Sequence, residues 1–417
     1  VAIRPLKRFM VDQEITLQLP ESRENATNAS RRIAIVGAGP AGLSCGYFLA
    51  RLGYKPVVFE AETRPGGMLT QAIPSYRLPR EILAREIRMI ENMGVEIITD
   101  QKLGRDFSIE QLKQEGYDAV FMAIGTSKGI GMKIPGADHP NVTNAMDFLR
   151  TYNFRGSVPV GRKVIVVGGG NAAFDAARTA IRLGAEEVKV VYRRSEKDMP
   201  AYREEIDEAL QEGIKLLTLT NPQEVIIDGD KITGVECLSM TMGEFDNSGR
   251  RRAVNNGETF ILEADQVIMA LGQRIEDPSL LDAVSPDVMD NWMIKVDPIT
   301  QQTEVPWLFA GGDVADTVKR TVTDAIGAGE RAAVGIDEFL TGTQHAFWRQ
   351  DHDLDTVFDP DADPVPYQRS KIPLLPVDRR RNNFSEVEQS WMEVEAIRQS
   401  TRCLRCDYGN CSQTIKE

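Results

Sequence analysis

Residues 31–62, RRIAIVGAGPAGLSCGYFLARLGYKPVVFEAE, constrain the fold more than any other stretch of the chain. They read as a strand over 33–36, a glycine turn over 37–42, a helix over 43–52 and a second strand over 56–59. Gly37 permits the tight turn, Gly39 lets backbone approach a pyrophosphate, and Gly42 lets helix and strand pack closely. Pro40 and Ala41 complete the turn, and the helix behind it offers unpaired N–H groups to phosphates. Glu60 lies 18 residues beyond Gly42, where a carboxylate can accept from an adenosine ribose hydroxyl. Strand, turn, helix and acid in this order mark a dinucleotide site on an α/β fold.

At 417 residues the chain has room for two or three domains. A net charge of −13 argues against a nucleic-acid surface, which needs clustered cations. Residues 33–50 are uncharged, but three turn glycines and Pro40 within them argue against a membrane span. The opening VAIRPLKRFMVDQEITL has no apolar core followed by a small-residue cleavage site, and five cysteines, three near the end, do not resemble a secreted disulfide framework. A cytoplasmic location is therefore expected. Residues 1–30 read as a mixed extension, either a docking arm or an ordered lead-in.

A second fingerprint, RKVIVVGGGNAAFDAARTAIRLGAEEVKVVYRR, repeats the pattern. A strand over 164–167 enters Gly168-Gly169-Gly170-Asn171-Ala172-Ala173, and a strand over 188–192 follows the helix. Where the first unit has Glu60, this one has Tyr192-Arg193-Arg194. A ribose hydroxyl favours a carboxylate, whereas a 2′-phosphate favours guanidinium groups, so Arg193 and Arg194 favour NADP over NAD. Each fingerprint is followed by an echo of D-x-V-x-M-A-x-G, DAVFMAIG over 118–125 and DQVIMALG over 265–272. Each reads as a buried strand whose closing glycine, Gly125 or Gly272, leaves a peptide facing a ligand. Two related modules follow.

Farther on, a strand over 308–310 ends in Gly311-Gly312-Asp313, and a helix begins at Thr321 or Val322. Asp313 can accept from a sugar-alcohol hydroxyl, while the helix N-terminus sets partial positive charge beside an electron-rich ring. That pairing suits the ribitol and pyrimidine end of a flavin. In the tail from about His345, DHDLDTVFDPDADPVPYQ is acidic and proline-punctuated and reads as a surface linker, and a short helix over 393–402 then delivers Cys403, Cys406 and Cys411. Thiolates at that spacing can share a cluster or zinc, although a fourth ligand is missing nearby; the alternative is a cysteine-bearing end that packs on a partner.

GAGPAGL, PGGMLTQAIPSYRLP, VVGGGNAAFDAAR, VYRRSEKDMPA and FAGGD, in this order, make residues 31–343 resemble the FAD-dependent pyridine-nucleotide oxidoreductases of the glutamate synthase small-subunit type. The resemblance implies two Rossmann-like three-layer dinucleotide-binding domains with N- and C-terminal extensions. Residues 31–150 and 276–343 would form a discontinuous FAD domain, 151–275 an NAD(P)-binding domain, and 1–30 and 344–417 the extensions. It further implies cofactor contacts at Ala61, Gly67, Met68, Arg77, Ala123, Thr126 and Ala270, beside those of the glycine turns and GGD. Residues 1–30 hold no cysteine, so the N-terminal iron–sulfur domain of many relatives is not carried over.

If both cofactors bind, the protein's task is to hold a nicotinamide against a flavin, and hydride transfer needs no general acid or base. His139, His345 and His352 lie outside every motif and receive no catalytic role. Cys45 and Cys237 look structural, which leaves no dithiol relay. Electrons are expected to pass to iron–sulfur clusters of a partner subunit serving a separate catalytic subunit. Relatives of this type serve glutamate synthases, transhydrogenases and aldehyde oxidoreductases. A self-sufficient reductase of a small soluble acceptor is the alternative, and a non-enzymatic nucleotide-binding module is the third.

Overall fold

A computed structural model of the chain describes residues 2–17, 30–245, 251–275, 289–290, 293–316, 320–349 and 367–402. In chain order the first strands are β1 (Ile33–Val36), β2 (Val57–Phe59), β3 (Glu96–Ile98), β4 (Ala119–Met122) and β5 (Val142–Asn144). There follow β6 (Lys163–Val167), β7 (Glu187–Tyr192), β8 (Lys215–Thr218), β9 (Thr220–Asp228), β10 (Lys231–Phe245), β11 (Arg251–Glu263), β12 (Gln266–Met269) and β13 (Leu308–Ala310). The helices used below are α1 (Ile3–Leu17), α2 (Pro40–Arg51), α3 (Arg80–Asn92), α4 (Ala145–Arg155), α5 (Asn171–Arg182), α6 (Arg203–Gln211), α7 (Val322–Thr341) and α8 (Glu393–Ser400).

Two five-stranded parallel sheets carry the larger of the chain's two compact units. Their orders, β13-β4-β1-β2-β3 and β5-β12-β6-β7-β8, superimpose position for position. The strands beside each glycine turn carry the apolar runs IAIV with AVFM and, after Lys163 and Gln266, VIVV with VIM, as strands covered on both faces must. The antiparallel ribbon β9-β10-β11 lies between β8 and β12 in sequence. The expected repeat is physical. Asp118 accepts the Arg32 N–H at 2.9 Å, and Asp265 accepts the N–H groups of Arg162 and Lys163 at 3.0 Å each, so the same acid stitches the start of each central strand.

Strand β13 returns from beyond the second module to pair with β4, which gives the first sheet its discontinuous sequence. Strand β5, which sequence reading placed in the first module, pairs with β12 in the second sheet. The helix after it, α4, buries Ala145, Phe148 and Leu149 in that sheet's core. Helices α2 and α7 pack through small residues. A Cβ on Gly329 would lie 2.2 Å from the Ala41 carbonyl oxygen and 2.8 Å from Cys45 N.

The smaller unit comprises 1–23, 346–376 and 386–417. Its N-terminal piece is a helix, α1, with Leu6 and Phe9 packed against Ala2, Trp391 and Ala396. Arg4 and Arg8 each pair with an acid of the returning chain, Glu388 and Glu386. Residues 377–385, read from sequence as part of the C-terminal extension, belong to the larger unit. The three clustered cysteines lie outside the described residues.

A buried charge cluster joins the two modules. From the segment before α3, Arg77 reaches Asp175 at 2.9 Å and Glu205 at 2.8 Å. On α5, Arg178 pairs with Glu205, Glu208 and Glu212 at 2.6, 2.8 and 2.9 Å, and Arg182 pairs with Glu212 at 2.6 Å. Arg380 adds a fourth guanidinium 3.2 Å from Glu212. Tyr76 lies under two of these cations, its ring centre 4.9 Å from Arg178 and 4.0 Å from Arg182. Four cations balance four acids. Such a set adds little net stability over an apolar core, but stripping one partner leaves a buried charge and costs about 3–5 kcal/mol. Burial tends to raise the Glu212 carboxyl, yet Arg182 and Arg178 hold it below its ordinary range.

Two outcomes follow from this packing. Gly329→Ala should force α2 and α7 apart and cost about 1–3 kcal/mol in urea denaturation. Burial pushes Asp175 from 3.8 up to about 6, with Arg77 opposing. The folded carboxyl therefore binds its proton more tightly than the unfolded one, and its ionisation costs nothing below its ordinary value. The cost accrues as pH rises and is complete above about 6, up to about 3 kcal/mol. Asp175→Asn should lack that slope, so its stability relative to the parent, read from denaturation midpoints, should rise between pH 4 and 7.

Candidate nucleotide-binding sites

The first site is built where β1 runs into α2. Gly37 has φ +105° and a Cβ there would lie 2.5 Å from the Ala123 carbonyl oxygen, so only glycine fits without strain. Gly42 sits against the Gly37 carbonyl oxygen, closing turn on helix. Gly39 caps α2 without any side-chain cap, Pro40 is its first residue, and Ala41 and Gly42 follow in the first turn. Proline has no N–H, so the N–H groups of Ala41 and Gly42 are the orphan donors of this helix start. By contrast α4 and α7 are capped by Asn144 and Thr321. Across the turn, Gly67 faces Gly39 so closely that a Cβ on it would stand 2.7 Å from the Gly39 Cα. Met68 opens the short helix behind it. The result is a floor of bare backbone.

Glu60 is buried at the end of β2, and its carboxylate oxygens accept from the N–H groups of Ala38 at 2.7 Å and Glu62 at 2.9 Å. Burial raises its carboxyl, and these backbone donors oppose the shift. Each oxygen retains a lone pair for a hydroxyl. Ala61 beside it is exposed. At the end of β4, Gly125 has φ +62° and open space where a Cβ would stand. Thr126 is 4% exposed and its hydroxyl has no hydrogen-bond partner. An orphaned buried hydroxyl beside an open glycine is the observation that best fits an absent ligand.

Gly312 brings the third motif to the same turn, since a Cβ on it would lie 3.0 Å from Ala41 Cβ. Burial raises the Asp313 carboxyl, and Arg320 opposes the shift. The α7 start carries a side-chain cap, with Thr321 Oγ accepting from Asp324 N at 3.1 Å, and Val322 is exposed. Sequence reading missed Arg320, which adopts φ +54° and donates to the Gln273 carbonyl at 3.3 Å. A positive φ at arginine leaves no mark in the sequence.

The second site repeats the first. A Cβ on Gly168 would lie 2.3 Å from the Ala270 carbonyl oxygen, Gly170 caps α5 without a side-chain cap, and Gly272 has φ +114°. Ala172 follows in the first turn of α5, while Asn171 accepts the Tyr202 N–H at 3.0 Å. The Gly37 and Gly168 N–H groups donate to the carbonyls of Phe59 and Val191. Tyr192 therefore takes the place of Glu60, and Arg193 the place of Ala61. Arg193 is exposed and makes no hydrogen bond among the described residues. Arg194 is anchored by donating from Nε to the Arg251 carbonyl at 3.0 Å.

Arg77, one of the expected cofactor contacts, is directed instead to Asp175 and Glu205. Those carboxylates are withdrawn from water and would otherwise be under-paired. Cys45 and Cys237 are buried free thiols, and burial raises both, Cys237 to about 12, which leaves them inert. Among the described residues no cluster could hold a metal ion, and no helix is long and apolar enough to cross a membrane.

The profile of the family described as "Pyridine nucleotide-disulphide oxidoreductase" matches residues 31–329. The chain is 39% identical over 440 residues to the NADP(+)-dependent formate dehydrogenase subunit beta of Moorella thermoacetica, covering 97% of this chain but 62% of that protein. It is 34% identical over 364 residues to the Glutamate synthase [NADPH] small chain of Escherichia coli (strain K12), covering 82% and 75%. Mycobacterium tuberculosis FprA in complex with NADPH shares the fold, with a TM-score of 0.64 at 18% identity over 75% of this chain and 85% of that one. By profile, relatives and paired glycine turns alike, the chain belongs to the pyridine nucleotide-disulphide oxidoreductase family.

Proposed function

We propose that the first module holds FAD and the second NADPH, and that the chain is an electron-transfer subunit exchanging hydride with the nicotinamide. The observation that carries this reading is the duplicated turn, each with an uncapped helix start and a positive-φ glycine opposite. Bound FAD would supply the conversion between a two-electron hydride and single electrons. The residues do the positioning. The N–H groups behind Gly39 receive a pyrophosphate, Glu60 accepts from the ribose, Thr126 donates its unused hydroxyl, and Asp313 accepts from the ribitol. In the second module the turn at Gly170 receives the other pyrophosphate, and Arg193 meets the 2′-phosphate. NADP is favoured because an exposed, uncommitted guanidinium follows β7, where the first module has alanine. The relatives' printed names, one NADP(+)-dependent and one NADPH-linked, support the same choice.

Those names also describe a subunit and a small chain, which supports partners for this chain. We place iron–sulfur clusters of a partner subunit as the electron route, with a separate catalytic subunit beyond, in a cytoplasmic setting. Cys45 and Cys237, the thiols among the described residues, are both buried and free.

The purified chain should be yellow, bleach with NADPH under anaerobic conditions and then reduce a viologen dye. Absence of flavin after gentle purification, or a flavin that NADPH does not bleach, would defeat the assignment. Arg193→Ala should weaken NADPH binding by about 1–3 kcal/mol with little change for NADH, read from titrations of both nucleotides. Equal effects on the two would reduce Arg193 to a solvated rim.

A further inference from the structure

We propose that residues 377–385 form a clip that holds the two nucleotide modules in their working arrangement, with Arg380 and Phe384 as positioning residues for the hydride step. The proposal rests on the reading that both modules bind nucleotides. The segment is flanked on both sides by chain of the smaller unit, yet it belongs to the larger one. Its Arg380 is 1% exposed, donates to Gln211 Oε1 at 2.7 Å and lies 3.2 Å from Glu212. Phe384 stacks on Tyr152 of α4 with ring centres 4.3 Å apart, and its carbonyl accepts from Ser75 Oγ at 3.4 Å. Its ring also lies 6.2 Å from that of Tyr76. One short segment therefore grips the second module through Tyr152, Gln211 and Glu212, and the first through Ser75 and Tyr76.

Both grips lead to a glycine turn. Ser75 and Tyr76 follow the stretch that starts at Gly67, the residue facing Gly39. Glu212 is shared with Arg178 and Arg182, which lie on α5, the helix that begins at the second turn. Aligned ion pairs in a water-free setting do not slide. They are either made or broken, so the two turns stay at one separation while the clip is seated. Hydride transfer then proceeds in the docked arrangement without swinging one module away from the other. Neither Arg380 nor Phe384 approaches a glycine turn directly, so loosening the clip should change transfer rate rather than nucleotide affinity.

The test uses the full chain carrying Phe384→Ala, Arg380→Gln or Arg380→Lys. Flavin content and NADP⁺ affinity should stay within about 3-fold of the parent, because the binding groups are untouched. Anaerobic flavin bleaching by NADPH in rapid mixing should slow at least 10-fold in Phe384→Ala and Arg380→Gln, with partial recovery in Arg380→Lys. Amide exchange over 68–78 should rise in Phe384→Ala, and that readout needs no flavin. Faster exchange with no flavin in the parent would uphold the clip and sink the cofactor assignment. Bleaching within 2-fold of the parent in flavin-loaded Phe384→Ala, or unchanged exchange over 68–78, overturns the proposal. Should Arg380→Gln fail to fold, Phe384→Ala, which removes a half-buried ring and no charge, decides the matter.

Discussion

A carbonyl oxygen occupies the space where a side chain would begin, and it does so twice. The Ala123 oxygen sits under Gly37 and the Ala270 oxygen under Gly168. In each module this contact presses the end of the neighbouring strand against the turn, and the turn in turn fixes where the next helix starts. Everything that receives a ligand is measured from that point: the uncapped helix N-terminus, the residue closing the second strand, and the positive-φ glycine one strand over. A methyl group at either position would separate strand from turn and unmake the site without touching its polar groups.

Backbone geometry of this kind is what a sequence displays most openly. Gly37, Gly39 and Gly42 could be read from spacing because glycine alone tolerates such approaches. The paired acids Asp118 and Asp265 showed through because a buried strand start has unpaired N–H groups that a carboxylate must serve. Elements of lower contrast did not show. Leu6 and Phe9 of helix α1 pack with the preceding Ala2 on Trp391 and Ala396, too short a run to separate from a mixed polar extension. Strand β5 is three residues long, and its ladder partner lies more than a hundred residues away in sequence.

The charge cluster was hidden for another reason. Arg77 sits in a motif that suggested cofactor contact, and motif membership does not say which way a guanidinium turns. Asp175 among the alanines of NAAFDAARTA was a visible anomaly, but its partner Arg77 lies 98 residues earlier in the chain. Arg380 arrives from the C-terminal tail, 169 residues beyond its partner Gln211. Pairwise charge complementarity among distant residues becomes apparent only when the backbone has been placed.

The return of β13 to β4 carries a consequence for synthesis. The first sheet lacks an edge strand until the ribosome has released all of the inserted module, so that module is free to reach its native form on the nascent chain while the earlier one waits. Closing so long a loop adds only slowly to the entropic cost, since that cost grows with the logarithm of length. Until β13 docks, the open flank of β4 is a row of amides and carbonyls without a strand partner, a template on which another chain could pair.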